Sequence, residues 1–242
     1  MSMSPLLRSE LFERHGASAV FSLRACGNLG YGLGDSDGQV DRHLEGFVQD
    51  AGLPQSPHQV RQVHGIGVLG CEGRGGMHAG EADILIAREP GCPVGVRVAD
   101  CLSVLLVDPR VSIVAAVHAG WRGTVAGAVR EAVEVMHRQG TDPANLIAVL
   151  APCIGPCCFS IGEDVAEQLA GCCEGAAAHV RDGRADLAAI NIAQLEAAGV
   201  GRAHIEHLGG CTCCDPERFF SYRRDGEGSG RHLAVAVLHR RP

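Results

Sequence analysis

An α+β domain built on a mixed sheet is the fold class that the sequence predicts, on three observations. Apolar strand-like runs and amphipathic helical stretches both recur along the chain, but they do not alternate strictly, as a doubly wound sheet requires. The 33 glycines are spread over the whole length, which implies many tight turns and no single hinge. No linker long enough to split the chain is present, so the 242 residues are expected to share one sizeable core. The expected organisation is an N-terminal extension over residues 1–18 and a single domain over 19–242.

In chain order, residues 19–29 read as a short strand with Ala19, Phe21 and Leu23 on one face, running into a loop that carries Asn28. Residues 41–51 place Leu44, Phe47 and Val48 on one helical face. Residues 60–69 alternate in part, as a strand or hairpin would, and 83–87 form a short buried strand. Two apolar strands, 94–98 and 102–107, are separated by the polar break Ala99-Asp100-Cys101, and 113–117 is a further buried strand. A helix over 124–137 has Val125, Ala128, Val129, Ala132, Val133 and Met136 at helical spacing. A strand follows at 146–150. Ser160 and Glu163 have the spacing of a capping box that opens the next helix. A helix over 187–198 stops at Gly199, and strands at 203–208 and 233–238 close the chain.

Composition narrows the chemistry. All 21 basic residues are Arg, which excludes a Schiff-base enzyme, a lysine-bearing P-loop and lysine acid–base catalysis. The formal net charge of -7 argues against a duplex nucleic-acid partner. No apolar run approaches membrane-spanning length, and the N-terminus lacks a signal-peptide core, so a cytoplasmic protein without a membrane partner is expected. Twelve Cys in such a setting point to metal, catalysis or small buried apolar side chains rather than to a disulfide framework.

The densest chemical signal is Val117-His118-Ala119-Gly120-Trp121-Arg122-Gly123-Thr124, which joins a buried strand to a helix. A helix N-terminus favours anions, and Arg122 adds a guanidinium fork suited to phosphate; the bland reading is a glycine turn with a solvated Arg. Cys101, at the break between two strands, reads as a thiolate ligand, a nucleophile or an inert buried thiol. His64, before Gly65, reads as a site histidine or an isolated one. These segments lie tens of residues apart, and no spacing rule joins them. Elsewhere, Cys211 and Cys214 make a CxxC, and with Cys153 and Cys157 they have the composition of a Cys₄ zinc site or of packed thiols. The run Phe219-Phe220-Ser221-Tyr222-Arg223-Arg224-Asp225 mixes aromatics with paired Arg and reads as a base and anion contact surface or as an edge strand. His204 and His207 read as surface residues.

Taken together, Gln62-Val63-His64-Gly65, Ala99-Asp100-Cys101-Leu102, the segment 116–123, Ile154-Gly155-Pro156-Cys157-Cys158 and the terminal Cys211-to-Arg231 motifs resemble the YfiH family of laccase-domain proteins, also described as purine nucleoside phosphorylases. Departures include Ser103 where the family has Pro, and Asp41-Arg42 where Asn-Arg is usual. The resemblance implies an α/β/β/α sandwich. It also implies a metal site of His64, Cys101 and His118, with two imidazoles and a thiolate that suit zinc and leave a position open; copper is the competing cation. The implied activity is phosphorolysis of inosine or adenosine to free base and ribose 1-phosphate, with adenosine deamination and methylthioadenosine phosphorolysis as companions. Purine nucleosides and phosphate are then the partners, of a monomer or small homo-oligomer.

Within that reading Arg122 is the first phosphate candidate, Arg42 and Arg224 follow, and Gln62 or Asp100 orients a ligand. Three alternatives stand beside it. One is a Cys101-dependent hydrolase with His64 or His118 as base. Another is a copper-linked phenol oxidase, disfavoured because the chain has no His-x-His pair. The third is a zinc-stabilised binding module.

Overall fold

The computed structural model describes residues 4–240. Its strands are β1 (Leu6–Arg8), β2 (Ala17–Ser22), β3 (Gln59–Arg61), β4 (Val68–Cys71), β5 (Met77–Glu81), β6 (Ile84–Ala87), β7 (Val94–Val98), β8 (Leu102–Asp108), β9 (Ile113–Ala119), β10 (Ile147–Leu150), β11 (Val180–Arg181), β12 (Arg184–Ala185), β13 (Ile205–His207) and β14 (His232–Leu238). Its helices are α1 (Glu10–Glu13), α2 (Asp37–Ala51), α3 (Trp121–Ala126), α4 (Ala128–Arg138), α5 (Glu163–Ala170), α6 (Leu187–Ala197) and α7 (Tyr222–Asp225).

Two sheets carry the fold. One has the order β1-β2-β14-β7, and the other has the order β13-β10-β8-β9-β6-β4. The second is mixed: β13 runs parallel to β10 and β4 parallel to β6, while the pairs between them are antiparallel.

Side-chain alternation sorts the strands into layers. Leu105 and Val107 of β8 meet Ala234 and Ala236 of β14 in the core between the sheets. Leu102, Val104 and Leu106 point the other way, onto Val129, Val133 and Met136 of α4. Leu233, Val235 and Val237 of β14 pack on Phe47 of α2. The result is the α/β/β/α sandwich, with α2 outside one sheet and α4 and α6 outside the other. Each fully buried Leu, Ile or Met in these layers contributes roughly 1.5–3 kcal/mol of apolar burial.

The structure refines several expectations. The segment expected to stand outside the domain is packed from residue 6 onward: β1 pairs with β2, and Phe12 is completely buried. The strand expected at 60–69 is two short strands in different sheets, with β3 pairing with β5 and β4 with β6, and His64 lies in the loop between them. The helix expected over 124–137 is broken at Gly127, which takes a left-handed φ of 83° and caps both α3 and α4. Ser160 does not cap α5, whose N-cap is Gly162; the Ser160 hydroxyl accepts from Arg223 Nη1 at 2.9 Å instead. A capping box does open α2, four residues earlier than the apolar spacing indicates, where the Ser36 N–H donates to Gln39 Oε1 at 3.1 Å. Among the described residues no helix is long and apolar enough to cross a membrane.

Candidate active site

Strands β7 and β8 are neighbours in sequence but lie in different sheets. The polar break at 99–101 is therefore where the chain crosses between layers, and Cys101 sits at that crossing. His118, near the end of β9, faces Ser103 of β8 in register. His64 approaches from the β3–β4 loop. The ligand atoms of His64, Cys101 and His118 all lie within 4.8 Å of one another, although the residues come from three separate segments. His64 Nε2 is 3.9 Å from Cys101 Sγ, and the two imidazole rings meet edge to face at 4.8 Å between centroids.

One buried carboxylate organises two of these three residues. Asp83, fully buried at the head of β6, accepts from His118 Nδ1 at 2.7 Å. It also accepts backbone N–H bonds from Val63 at 3.2 Å, His64 at 2.9 Å and Gly65 at 2.7 Å. Those bonds hold His64 at a positive φ of 62°, a conformation unfavourable for a residue with a Cβ. Burial alone would push the Asp83 carboxyl up; the His118 hydrogen bond and the Gly65 and Val63 N–H groups outweigh it, and the carboxyl lies below its ordinary value. With Nδ1 engaged, His118 presents Nε2 to the site. Burial would likewise raise the Cys101 thiol, but the His118 and His64 imidazoles bring it down to about 6. Burial opposes the His118 cation, yet Cys101 and Asp83 raise that imidazole to about 9.

The donor set fits a tetrahedral cation. Zinc–sulfur and zinc–nitrogen bonds of about 2.3 and 2.0 Å place such ligands roughly 3.5 Å apart, close to the His64–Cys101 separation. Close approach also explains Gly120: a Cβ there would fall 2.9 Å from Cys101 Sγ and 3.0 Å from His64 Cδ2.

The group opens into a cavity of about 830 Å³ that Tyr31, Gln62, Arg97, Tyr222 and Arg231 also line. That volume is in the range of small-molecule sites. Arg97 and Arg231 form no ion pair among the described residues. The Arg97 guanidinium lies 4.9 Å from the Tyr31 ring centre, and burial lowers its pKa to about 10. Arg231 lies 6.0 Å from the Tyr222 ring centre, and burial lowers its pKa too.

The other residues expected at the site are distributed differently. Gln62 lines the cavity, but its amide is spent on the Arg97 backbone, accepting from its N–H and donating to its carbonyl at 2.8 Å each. Asp100 is turned into the wall behind Cys101. It accepts from the Thr212 hydroxyl at 2.6 Å, the Ser221 hydroxyl at 3.0 Å and the Arg223 N–H at 2.6 Å.

The three arginines first expected to bind phosphate do not line the cavity. Arg122 is exposed and lies over its neighbour Trp121 at 4.3 Å, Arg42 is exposed on α2, and Arg224 is bonded to Asp225 and to the carbonyls of Thr212, Cys213 and Phe219. The arginines that do line the cavity are Arg61, which pairs with Glu81 at 3.3 Å, Arg97 and Arg231. Arg97 carried a readable signal, since it is the one charge within an otherwise apolar strand. Asp83 carried a weaker one, as a lone acid at the head of an apolar run. In the Cys₄ grouping, Cys153 is replaced by Cys158: Cys157, Cys158, Cys211 and Cys214 converge, while Cys153 is buried with its thiol on the Ile154 carbonyl at 3.6 Å.

Comparison with known proteins agrees with this architecture. The Escherichia coli K12 protein "Purine nucleoside phosphorylase YfiH" is 35% identical over 92% of this chain and 95% of its own length. "Adenosine deaminase RL5", from an unknown prokaryotic organism, is 40% identical over 62% of this chain and 59% of its own length. The crystal structure of YlmD from Geobacillus stearothermophilus superposes with a TM-score of 0.86 at 26% identity, covering 99% of this chain and 98% of that one. The family model described as multi-copper polyphenol oxidoreductase laccase matches residues 10–239, and with these relatives it shows that the chain belongs to that laccase-like family, the one to which YfiH belongs.

Proposed function

We propose that this chain is a metal-dependent purine nucleoside phosphorylase that converts inosine or adenosine and phosphate to free base and ribose 1-phosphate. The observation that carries this reading is the pairing of a His₂Cys donor group with two arginines that have no carboxylate partner, all facing one cavity. The Escherichia coli relative's name supports it. His64, Cys101 and His118 would hold the cation, with zinc preferred for this donor set and copper able to compete. When bound, that cation supplies Lewis-acid polarisation of a substrate heteroatom.

The chain's own groups do the rest. Asp83 fixes the His118 tautomer and the backbone turn at His64. Arg97 and Arg231 bind phosphate, each with a planar fork that matches two of its oxygens. Phosphate held there offers negative charge to a ribosyl centre that turns cationic as the base departs. The Tyr31 and Tyr222 rings, each beside one of these guanidiniums, supply flat surfaces for the purine. Twelve free thiols are in keeping with a reducing cytoplasm.

Chromatography of products from inosine, adenosine and methylthioadenosine, with and without phosphate, tests the reading. Free base and ribose 1-phosphate should appear only with phosphate. Inosine formed from adenosine without phosphate would show the deaminase activity that the RL5 name suggests. One further reading has its own observation: the Cys101 thiol, 3.9 Å from His64 Nε2 and lowered by the His118 and His64 imidazoles, has the neighbours of a cysteine-hydrolase nucleophile. Rapid alkylation of Cys101 in zinc-loaded protein, with no turnover of any nucleoside, would favour the hydrolase and end the phosphorylase assignment.

A further inference from the structure

We propose that Cys157, Cys158, Cys211 and Cys214 form a second metal site, a closed tetrathiolate for a soft d¹⁰ cation, with zinc as its best match. The four Sγ atoms all lie within 4.8 Å of one another, and Cys214 Sγ is 3.3 Å from Cys157 Sγ and 3.2 Å from Cys158 Sγ. Four sulfurs around one zinc at about 2.3 Å stand roughly 3.8 Å apart, so the cluster needs only a small expansion to close on the ion. All twelve cysteines are free thiols, and no donor is shared with the His64 group.

Two loops build the cluster, and the backbone around them is arranged for sulfur. The loop after β10 and the loop after β13 run side by side through a parallel bridge between Cys153 and Cys211, closed by the Thr212 N–H on the Cys153 carbonyl at 3.0 Å. The Gly155 N–H donates to Cys211 Sγ at 3.2 Å, a bond that stabilises a thiolate. A Cβ on Gly155 would stand 3.4 Å from Cys157 Sγ and 3.6 Å from Cys211 Sγ, so the loop folds closely over the sulfurs.

Charge compensation around the cluster agrees with this geometry. Four thiols this close cannot all ionise unaided, because each thiolate suppresses the next. A divalent cation removes that conflict, and the arginines around it suit the remaining negative charge. Arg184 Nη1 donates to the Pro156 and Cys157 carbonyls, Arg223 Nη1 to the Cys158 carbonyl at 3.3 Å, and Arg224 Nη1 to the Cys213 carbonyl at 3.2 Å. The site is thus cationic at its backbone and anionic at its centre.

The test uses the full chain, purified under reductant, loaded with zinc chloride and desalted. About two zinc ions per chain are expected in the wild type, and about one in each of Cys158→Ser/Cys214→Ser and His118→Ala, because the two donor groups are independent. Cys157 and Cys214 are exposed, so iodoacetamide followed by peptide mass spectrometry gives a second readout on the wild type alone. Zinc should slow their alkylation at least tenfold, and a chelator should restore it. Two zinc ions per chain retained after the double substitution, or a wild type that holds only one, overturns the proposal, as does equal alkylation with and without zinc. A Cys–Cys peptide crosslink in the reduced, zinc-loaded protein also overturns it. None of these readouts depends on nucleoside turnover, so failure here and failure of the phosphorylase assignment are separable.

Discussion

The His64–Cys101–His118 group and the four-cysteine cluster both gather soft donors, and they differ in almost every other respect. The first draws one residue from each of three distant segments, is braced from behind by the buried Asp83, and opens into a cavity lined by Arg97 and Arg231. The second draws two residues from each of two short loops and is clamped through their carbonyls by arginines. Three donors beside a cavity leave a position at which a substrate can be met, whereas four thiols satisfy the cation completely. Open coordination with a carboxylate brace is the arrangement for chemistry; closed coordination with charge compensation is the arrangement for holding loops together.

The largest expected effect falls on the open group. His118→Ala should lower kcat/KM for phosphorolysis by about a thousandfold or more, roughly 4 kcal/mol of transition-state stabilisation. Steady-state rates on protein with a wild-type circular dichroism spectrum check this, and near-normal turnover would refute the role given to the group. Asp83→Asn should weaken zinc binding or activity by about 10- to 100-fold, since the brace orients His118 and the His64 turn. A metal-affinity titration that shows no change would reduce Asp83 to a folding residue.

Another buried histidine sharpens the contrast. His232 is as buried as His118 but has no charged partner; its Nε2 accepts the Phe220 N–H at 2.8 Å, and burial lowers its pKa to about 3. A group whose folded pKa is depressed below the unfolded value of about 6.5 binds its proton more readily in the unfolded chain. The stability it confers is therefore complete above about pH 6.5 and is lost as pH falls toward 3, reaching about 2 kcal/mol at pH 5. Denaturant midpoints from pH 7 to 4 should fall for the wild type and flatten for His232→Asn; parallel curves would exclude this assignment.

Smaller still, Arg97→Ala should raise the KM for phosphate about tenfold, the loss of one charge-assisted contact. Arg122→Ala and Arg42→Ala should leave it within about twofold, because neither side chain lines the cavity. Phosphate-saturation curves for the three variants decide between the two sets of arginines.

Much of the fold was legible from periodicity. The alternation in β8 and β14 follows from their apolar runs, and the α4 stripe from its spacing. His64, Cys101 and His118 could be joined only through the family resemblance, because the contact between them is made by a crossing between sheets that no local pattern encodes. Arg122 was favoured by its place beside glycines at a helix start, and that local logic is sound. The helix it opens is only six residues long, and its guanidinium lies over the Trp121 ring. Asp83 escaped notice because its importance lies in four hydrogen bonds to groups 18 to 35 residues away.

The crossing at 99–101 has a mechanical corollary. Cys101 is tethered to both layers, since β7 belongs to one sheet and β8 to the other, whereas His118 is anchored in the β8 sheet alone. Any shear of one layer over the other must then change the distance from Cys101 to the histidines, so the donor triangle acts as a gauge of how the two sheets are aligned. Repacking between the layers, as in Leu105→Ala far from the cavity, would be felt at the triangle as misalignment, and the small alanines of β14 that let the sheets approach closely are part of what keeps the gauge in trim.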